Sequence, residues 1–213
     1  MEIRYTLLAD GRSDRALIPI LNWLLREHCG ECALQPEWAD FYWLPRRPRG
    51  LSERIQTAIE LYPCDLLFIH RDAESETRGL RACEITSALL DVEQRVAIPP
   101  AVCVVPVRMQ EAWLLFDEVA IRKAAGNPNG RDEIELPALT RIEQLPDPKQ
   151  KLYELLRAAS GLSGRRLSRL RPSVSAPRVS EFIESFAPLR DLPAFQALEL
   201  EVKETTARLN VTS

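Results

Sequence analysis

Apolar positions along this chain alternate between two periods. Residues 3–9 alternate loosely and favour β structure. Gly11-Arg12-Ser13-Asp14 follows as a turn, with Ser13 placed to cap a helix. Ala16, Leu17, Ile20, Leu21, Leu24 and Leu25 then recur at helical spacing. Pro19 falls inside that run, so the helix either kinks there or begins its regular part later. Residues 38–44 read as a second strand, 45–50 as a basic loop, and Ser52 as the cap of a helix through Leu61. Residues 65–70 form a short apolar run ending in charge, the pattern of a buried parallel strand. A helix over residues 78–95, an apolar β-branched run from Ala101 to Val107 and a helical pattern from Glu111 to Ala125 complete this part.

Strands alternating with helices predict an α/β fold, a mostly parallel sheet with helices on both faces. From Gly126 the character changes. Asn127-Pro128-Asn129-Gly130 is turn chemistry, and Pro137, Pro146 and Pro148 follow. The remainder reads as helical, interrupted over residues 161–171. The expected organisation is a core over 1–125 and a loop and helical C-terminal extension over 126–213, packed on that core.

Composition narrows the class. The 213 residues are 46% hydrophobic and 28% charged, ordinary values for one globular domain. No apolar run approaches the roughly 20 residues of a membrane span. The first eight residues read as a strand and not as a signal peptide. The net charge of −3 argues against a generally basic coat but leaves room for a local basic patch. Five cysteines without framework spacing fit the reduced thiols of a cytoplasm. Cys29 and Cys32, beside His28, lack the second pair that a structural zinc site needs and read as incidental.

Open parallel sheets bind ligands beyond the carboxyl ends of their strands. Carboxylates recur at those ends: Asp10 and Asp14 after the first strand, Asp72 and Glu74 after the third, Glu111 and Asp117 after the next. Gathered carboxylates repel, and a divalent cation resolves the repulsion. Turn and helix-capping roles explain the same residues without a metal, so spacing leaves both readings open.

These residues also carry a resemblance. Leu7-Leu8-Ala9-Asp10-Gly11-Arg12-Ser13-Asp14 looks like the opening Toprim motif, and Leu66 to Glu74 resembles its second, a strand ending in Asp-x-Asp. Val104 to Leu115 and Pro146-Asp147-Pro148-Lys149 look like the Toprim-like bacterial family catalogued as domain of unknown function 4276. The resemblance spans residues 3–150 and implies a Toprim-like, Rossmann-like fold. It implies Mg²⁺ or Mn²⁺ held by Asp10, Asp72, Glu74 and Asp14, with Asp10, Glu111 and Lys149 as catalytic residues of a nuclease. Related nucleases often work beside an AAA or ABC-type ATPase in phage defence. The chain departs from the motifs in two places. Asp10 stands where the first motif has Glu, and Glu74 where the second has Asp.

Four further features bear on function. His70 lies beside the acidic residues as a candidate acid or base. Trp113, Leu114 and Leu115 read as core. Arg46, Arg47 and Arg49 form one basic cluster and Arg165, Arg166, Arg169 and Arg171 another, the second the better candidate for contacting DNA or RNA. Phe182, Ile183, Phe186, Leu189, Leu192 and Phe195 either cover the sheet or form a surface for an ATPase or another copy of the chain. Neither a Gly-x-Ser-x-Gly elbow nor a Walker A loop is present. The leading expectation is a metal-dependent nuclease. Its rivals are a non-catalytic Toprim-like sensor or scaffold, and a small nucleotide-phosphate binder or hydrolase that uses the same metal logic.

Overall fold

The computed structural model describes residues 2–212. Four parallel strands, β1 (Glu2–Leu8), β2 (Ala33–Trp38), β3 (Leu66–His70) and β4 (Ala101–Val104), lie in the order β2-β1-β3-β4. The crossovers run through α1 (Leu17–Cys29), α2 (Leu51–Leu61) and α3 (Arg78–Glu93). This is a Rossmann-like α/β arrangement. β1 and β3 are neighbours, with Leu7 opposite Phe68 and Leu8 opposite Ile69. The chain leaves β1 towards β2 and leaves β3 towards β4, so a crevice opens between their carboxyl ends.

Two apolar layers sandwich the sheet. Leu7, Leu66 and Phe68 point to the layer containing Leu17, Leu21 and Leu24 of α1. Leu8, Leu67 and Ile69 point to the layer of Ile55 and Ala58 from α2 and Ile85 and Val92 from α3. β3 is buried throughout because helices cover both of its faces.

The second strand lies earlier than expected. Ala33–Trp38 forms the edge strand, and the aromatic stretch after it turns away. Strand patterning fails here because an edge strand faces water and can hold Pro36, which donates no ladder hydrogen bond. Phe41 and Tyr42 pack elsewhere: Phe41 joins the α2–α3 layer, and Tyr42 stacks with arginines. Pro19 causes no kink. A 3-10 turn, Arg12–Ala16, precedes α1, and Pro19 sits in the first helical turn, where N–H groups lack partners anyway. Gly50, not Ser52, is the N-cap of α2. The fourth strand stops at Val104, short of Pro106. The helix expected over 111–125 is two pieces, a 3-10 turn (Gln110–Leu114) and α4 (Glu118–Ala124). Asp117 separates them as the N-cap of α4, its carboxylate accepting from the Ala120 amide at 2.9 Å.

Beyond α4 come α5 (Pro148–Ala159), α6 (Gly164–Arg169), α7 (Pro172–Ser175), α8 (Val179–Phe182) and the long α9 (Pro193–Thr212). Apolar residues of α5, α8 and α9 join the α1 layer in one continuous core. Trp113 meets Phe195 edge-on at 5.4 Å, and Trp23 of α1 meets Phe186 at 6.1 Å. Ile183, Phe186, Leu189, Leu192 and Phe195 are buried, and Phe182 packs against them. These residues cover the sheet and do not form an exposed assembly patch. Among the described residues, no helix is long and apolar enough to cross a membrane.

Glu201 of α9 holds the β4 edge. Its carboxylate accepts from the Cys103 amide at 2.9 Å and pairs with Arg78 of α3 at 2.7 Å. An unpaired edge amide invites other strands, and this contact blunts it. Glu201→Ala is expected to cost about 1–2 kcal/mol in urea unfolding, because one partly buried charged hydrogen bond and one amide partner are lost. Glu201→Gln, which keeps the acceptor, should recover about half. Equal loss in both variants would show that the amide contact contributes nothing.

Candidate functional site

Beside the crevice between β1 and β3, backbone joins the next pair of strand ends. The loops after β3 and β4 stay zipped past the strand ends, with the Arg71 amide donating to Val104, Ala73 to Pro106 and Glu74 to Arg108 at 2.9–3.2 Å. Glu74 and Arg108 take φ of 54° and 63°, left-handed values that cost a non-glycine residue on the order of 1 kcal/mol or more. The zipper places Asp72 beneath Gln110, whose amide donates to Asp72 Oδ1 at 3.0 Å.

His70 sits at the centre, with its side chain 1% exposed. Its Nδ1–H donates to the Val104 carbonyl at 3.0 Å. Its Nε2 lies 3.4 Å from Asp72 Oδ1 and 3.8 Å from Asp14 Oδ2. Burial is the largest influence on the ring and works against its charge. The hydrogen bond to Asp72, the charges of Asp72 and Asp14 and the Val104 carbonyl together outweigh burial and raise the pKa. His70 thus sits between two carboxylates that favour its charged form. With both nitrogens engaged and no exposed surface, it cannot reach a substrate as acid or base.

Asp14 is equally enclosed. It accepts from the Gly11 amide at 2.8 Å, from Ser13 Oγ at 3.0 Å and from Gln110 Nε2 at 2.9 Å. Glu111 is buried and pairs with Lys149 Nζ at 3.1 Å. Burial pushes the Glu111 carboxyl upward, Lys149 opposes this, and Asp72 adds to the rise. Lys149 is destabilised as a cation by burial, but Glu111 more than restores it, and its pKa is raised. Lys149 arrives on α5, where Asp147 caps the helix and Pro148 opens it. Beside Gln110 and Glu111 lies a cavity of about 10 Å³, at the limit for one water.

The remaining predicted ligands stand apart from this network. Asp10 is clamped between Arg54 and Arg71, with Arg71 Nε 3.3 Å from Oδ2. Two residues beyond the Leu8–Ile69 register, Asp10 and Arg71 face one another across the crevice. Glu74 is 66% exposed and reaches Arg81 at 3.5 Å. The structure therefore brings together Asp14, Asp72, Glu111 and Lys149, and leaves Asp10 and Glu74 outside that group. Among the described residues, no group of three or more His, Cys, Asp or Glu is arranged to hold a metal ion. Each carboxylate implied as a ligand already carries a histidine, lysine, arginine or amide partner. The donors present do not fit a divalent ion in this arrangement.

The surroundings of this edge are basic. A pocket of about 250 Å³ beside Asp10 is lined by Arg47, Arg49 and Arg54. On the other side, Ser173, Ala176 and Pro177 line the small cavity with Ser13 and Glu111, so the chain leaving α6 abuts the same edge. Arg165, Arg166, Arg169 and Arg171, on and just after α6, are all exposed. Gln110, Arg54, Arg71 and Tyr42 were missed by sequence reasoning. The strand-end rule reaches Gln110 and Arg71, which adjoin Glu111 and Asp72. Nothing local marks Arg54, an interior residue of α2.

Compared with family models, curated proteins and solved structures, the chain finds no match in any of the three. The site is therefore read on its own geometry.

Removing Lys149 should expose the cost of burying Glu111. In Lys149→Met the folded-state pKa of Glu111 rises further above its unfolded value of 4.5. An acid with a raised folded pKa loses stability as pH climbs above the unfolded pKa and through the folded one. The variant should match the parent near pH ~4 and fall below it by about 1–3 kcal/mol at pH ~8 in urea unfolding. A difference that stays constant with pH would mean Glu111 is not the group left unpaired.

Proposed function

We propose that this chain is a Toprim-like domain that binds nucleic-acid phosphates along the carboxyl edge of its sheet without cleaving them, as a sensor or scaffold subunit of an ATPase-containing assembly. The observation that carries the reading is the group of arginines at this edge, Arg47, Arg49 and Arg54 around the pocket beside Asp10. Arg47 and Arg49 come from the β2–α2 loop, and the exposed Arg165, Arg166, Arg169 and Arg171 form a second basic stretch on and just after α6. On a chain of net charge −3, cations gathered there form a local field for a polyanion. The carboxylates behind them support binding over hydrolysis, because each is neutralised from within the protein.

A second reading, a Mg²⁺- or Mn²⁺-dependent nuclease, is favoured by one observation. Asp14, Asp72 and Glu111 all border Gln110, and Asp72 keeps a side chain 30% exposed. One experiment separates the two. The full chain is incubated with single- and double-stranded DNA and RNA, with and without each metal, and binding is followed by anisotropy over a salt series. Binding without cleavage is expected. Arg165→Ala/Arg166→Ala/Arg169→Ala should weaken binding and reduce the log–log salt slope by about two to three, close to one per phosphate contact. An unchanged slope would remove α6 from the interface. Metal-dependent cleavage lost in Asp72→Asn would replace the binding reading with the nuclease.

A further inference from the structure

Spacing alone left Cys29 and Cys32 without a role, but the fold brings their thiols together. Cys29 is the last residue of α1, and Cys32 immediately precedes β2. Gly30 closes the helix with φ 65° and ψ −135°, and the Cys32 amide donates to the Gly30 carbonyl at 3.0 Å. That tight turn, which glycine adopts without strain, folds residue 32 back onto the end of the helix. The Cys29 thiol there interacts directly with Cys32 and with the Thr206 hydroxyl of α9. Both cysteines are half-buried against the α1 layer, and both are free thiols.

The donors around the pair do not make a metal site. His28, the adjacent histidine, is engaged through Nε2 with Glu199 at 2.9 Å. Two thiols fall short of the ligand set of a structural zinc ion, and no group of three or more His, Cys, Asp or Glu among the described residues is arranged to hold a metal. The remaining cysteines are placed singly: Cys64 faces Thr6, Cys103 faces Glu201, and Cys83 is exposed on α3. Burial pushes the Cys29 thiol up to about 11, with Cys32 adding to the rise. The carboxyl end of α1, where the helix dipole repels negative charge, acts in the same direction. Disulfides are strongly oxidising where the reduced form is stabilised as thiolate. This pair lacks that stabilisation, so its disulfide resists reduction.

We propose that Cys29 and Cys32 form a reversible intramolecular disulfide by exchange with a small-molecule disulfide. One protein thiolate attacks the small disulfide and releases one small thiol, which takes up a proton. The second protein thiolate then attacks the protein sulfur of the mixed disulfide and releases the other small thiol. One S–S bond forms in the protein as one breaks in the small molecule. The two protein thiols are oxidised, and their two electrons and two protons leave with the two small thiols. The second step is intramolecular, so the turn at Gly30 supplies its effective concentration. The pair lies at the amino ends of the strands, the opposite edge from the arginines, and its chemistry does not depend on phosphate binding.

The test equilibrates the full chain with mixtures of reduced and oxidised glutathione, quenches with acid, counts free thiols after denaturation and maps the bridge by mass spectrometry. Two of the five thiols should disappear without gain of glutathione, with Cys29 joined to Cys32, and excess dithiothreitol should restore both. Cys32→Ser should abolish the bridge and leave at most a mixed disulfide on Cys29. Cys83→Ser, which removes the exposed thiol on α3, should bridge as the parent does. Circular dichroism establishes that each variant is folded. In urea the midpoint of the parent should move at least about tenfold towards oxidised glutathione, because the turn no longer holds the thiols together. Five free thiols at every ratio, mixed disulfides alone, a bridge that survives Cys32→Ser, or an unchanged midpoint in urea would each overturn the proposal.

Discussion

Parallel strands deliver all their carboxyl ends to one edge, and this chain has placed acidic residues at three of them. That convergence is the constraint from which the site follows. Like charges brought near one another in a partly dry crevice must be neutralised or protonated. Here the neutralising groups are the protein's own. His70 stands between Asp14 and Asp72, Lys149 meets Glu111, and Arg54 and Arg71 hold Asp10. The edge thus becomes a cross-linked plate of internal ion pairs and amide contacts.

The plate ties distant parts of the chain together. Lys149 belongs to α5, in the segment beyond the sheet, and Gln110 joins Asp14 to the backbone zipper between the loops after β3 and β4. The C-terminal helices fill the α1 face with Phe186, Leu189 and Phe195, and Glu201 secures the far edge. Burial and ion pairing therefore act together: the helical segment that completes the core also brings the cation that makes Glu111 tolerable there. A buried pair of this kind adds little net stability but penalises arrangements that separate its partners.

With the acidic groups satisfied internally, the outer surface of the edge is left to arginine. The β2–α2 loop presents guanidinium groups where the strands end, and such groups bind phosphate with geometric preference. The chemistry of the edge is thus layered, with neutralised carboxylates beneath and cations above. This layering is the basis for reading the domain as a binder of phosphate esters.

Much of this was legible in the sequence. The alternation of strands and helices, the buried runs of β1 and β3, and the placing of Asp10, Asp14, Asp72 and Glu111 just beyond strand ends follow from periodicity and the geometry of parallel sheets. Other elements were not legible because their signal is tertiary. β2 is an exposed edge with a proline, so its pairing with β1 overrides a weak local pattern, while the aromatic residues after it serve a pocket. Asp117 looks like a site residue and is a helix cap. Above all, the sequence by itself placed acidic side chains at the strand ends, but not which of them would meet or what would face them. Arg54, Lys149 and His70 lie far apart along the chain, and only folding decides whether such cations or a bound ion face each carboxylate, because electrostatic pairing depends on distances of a few ångströms that residue order does not encode.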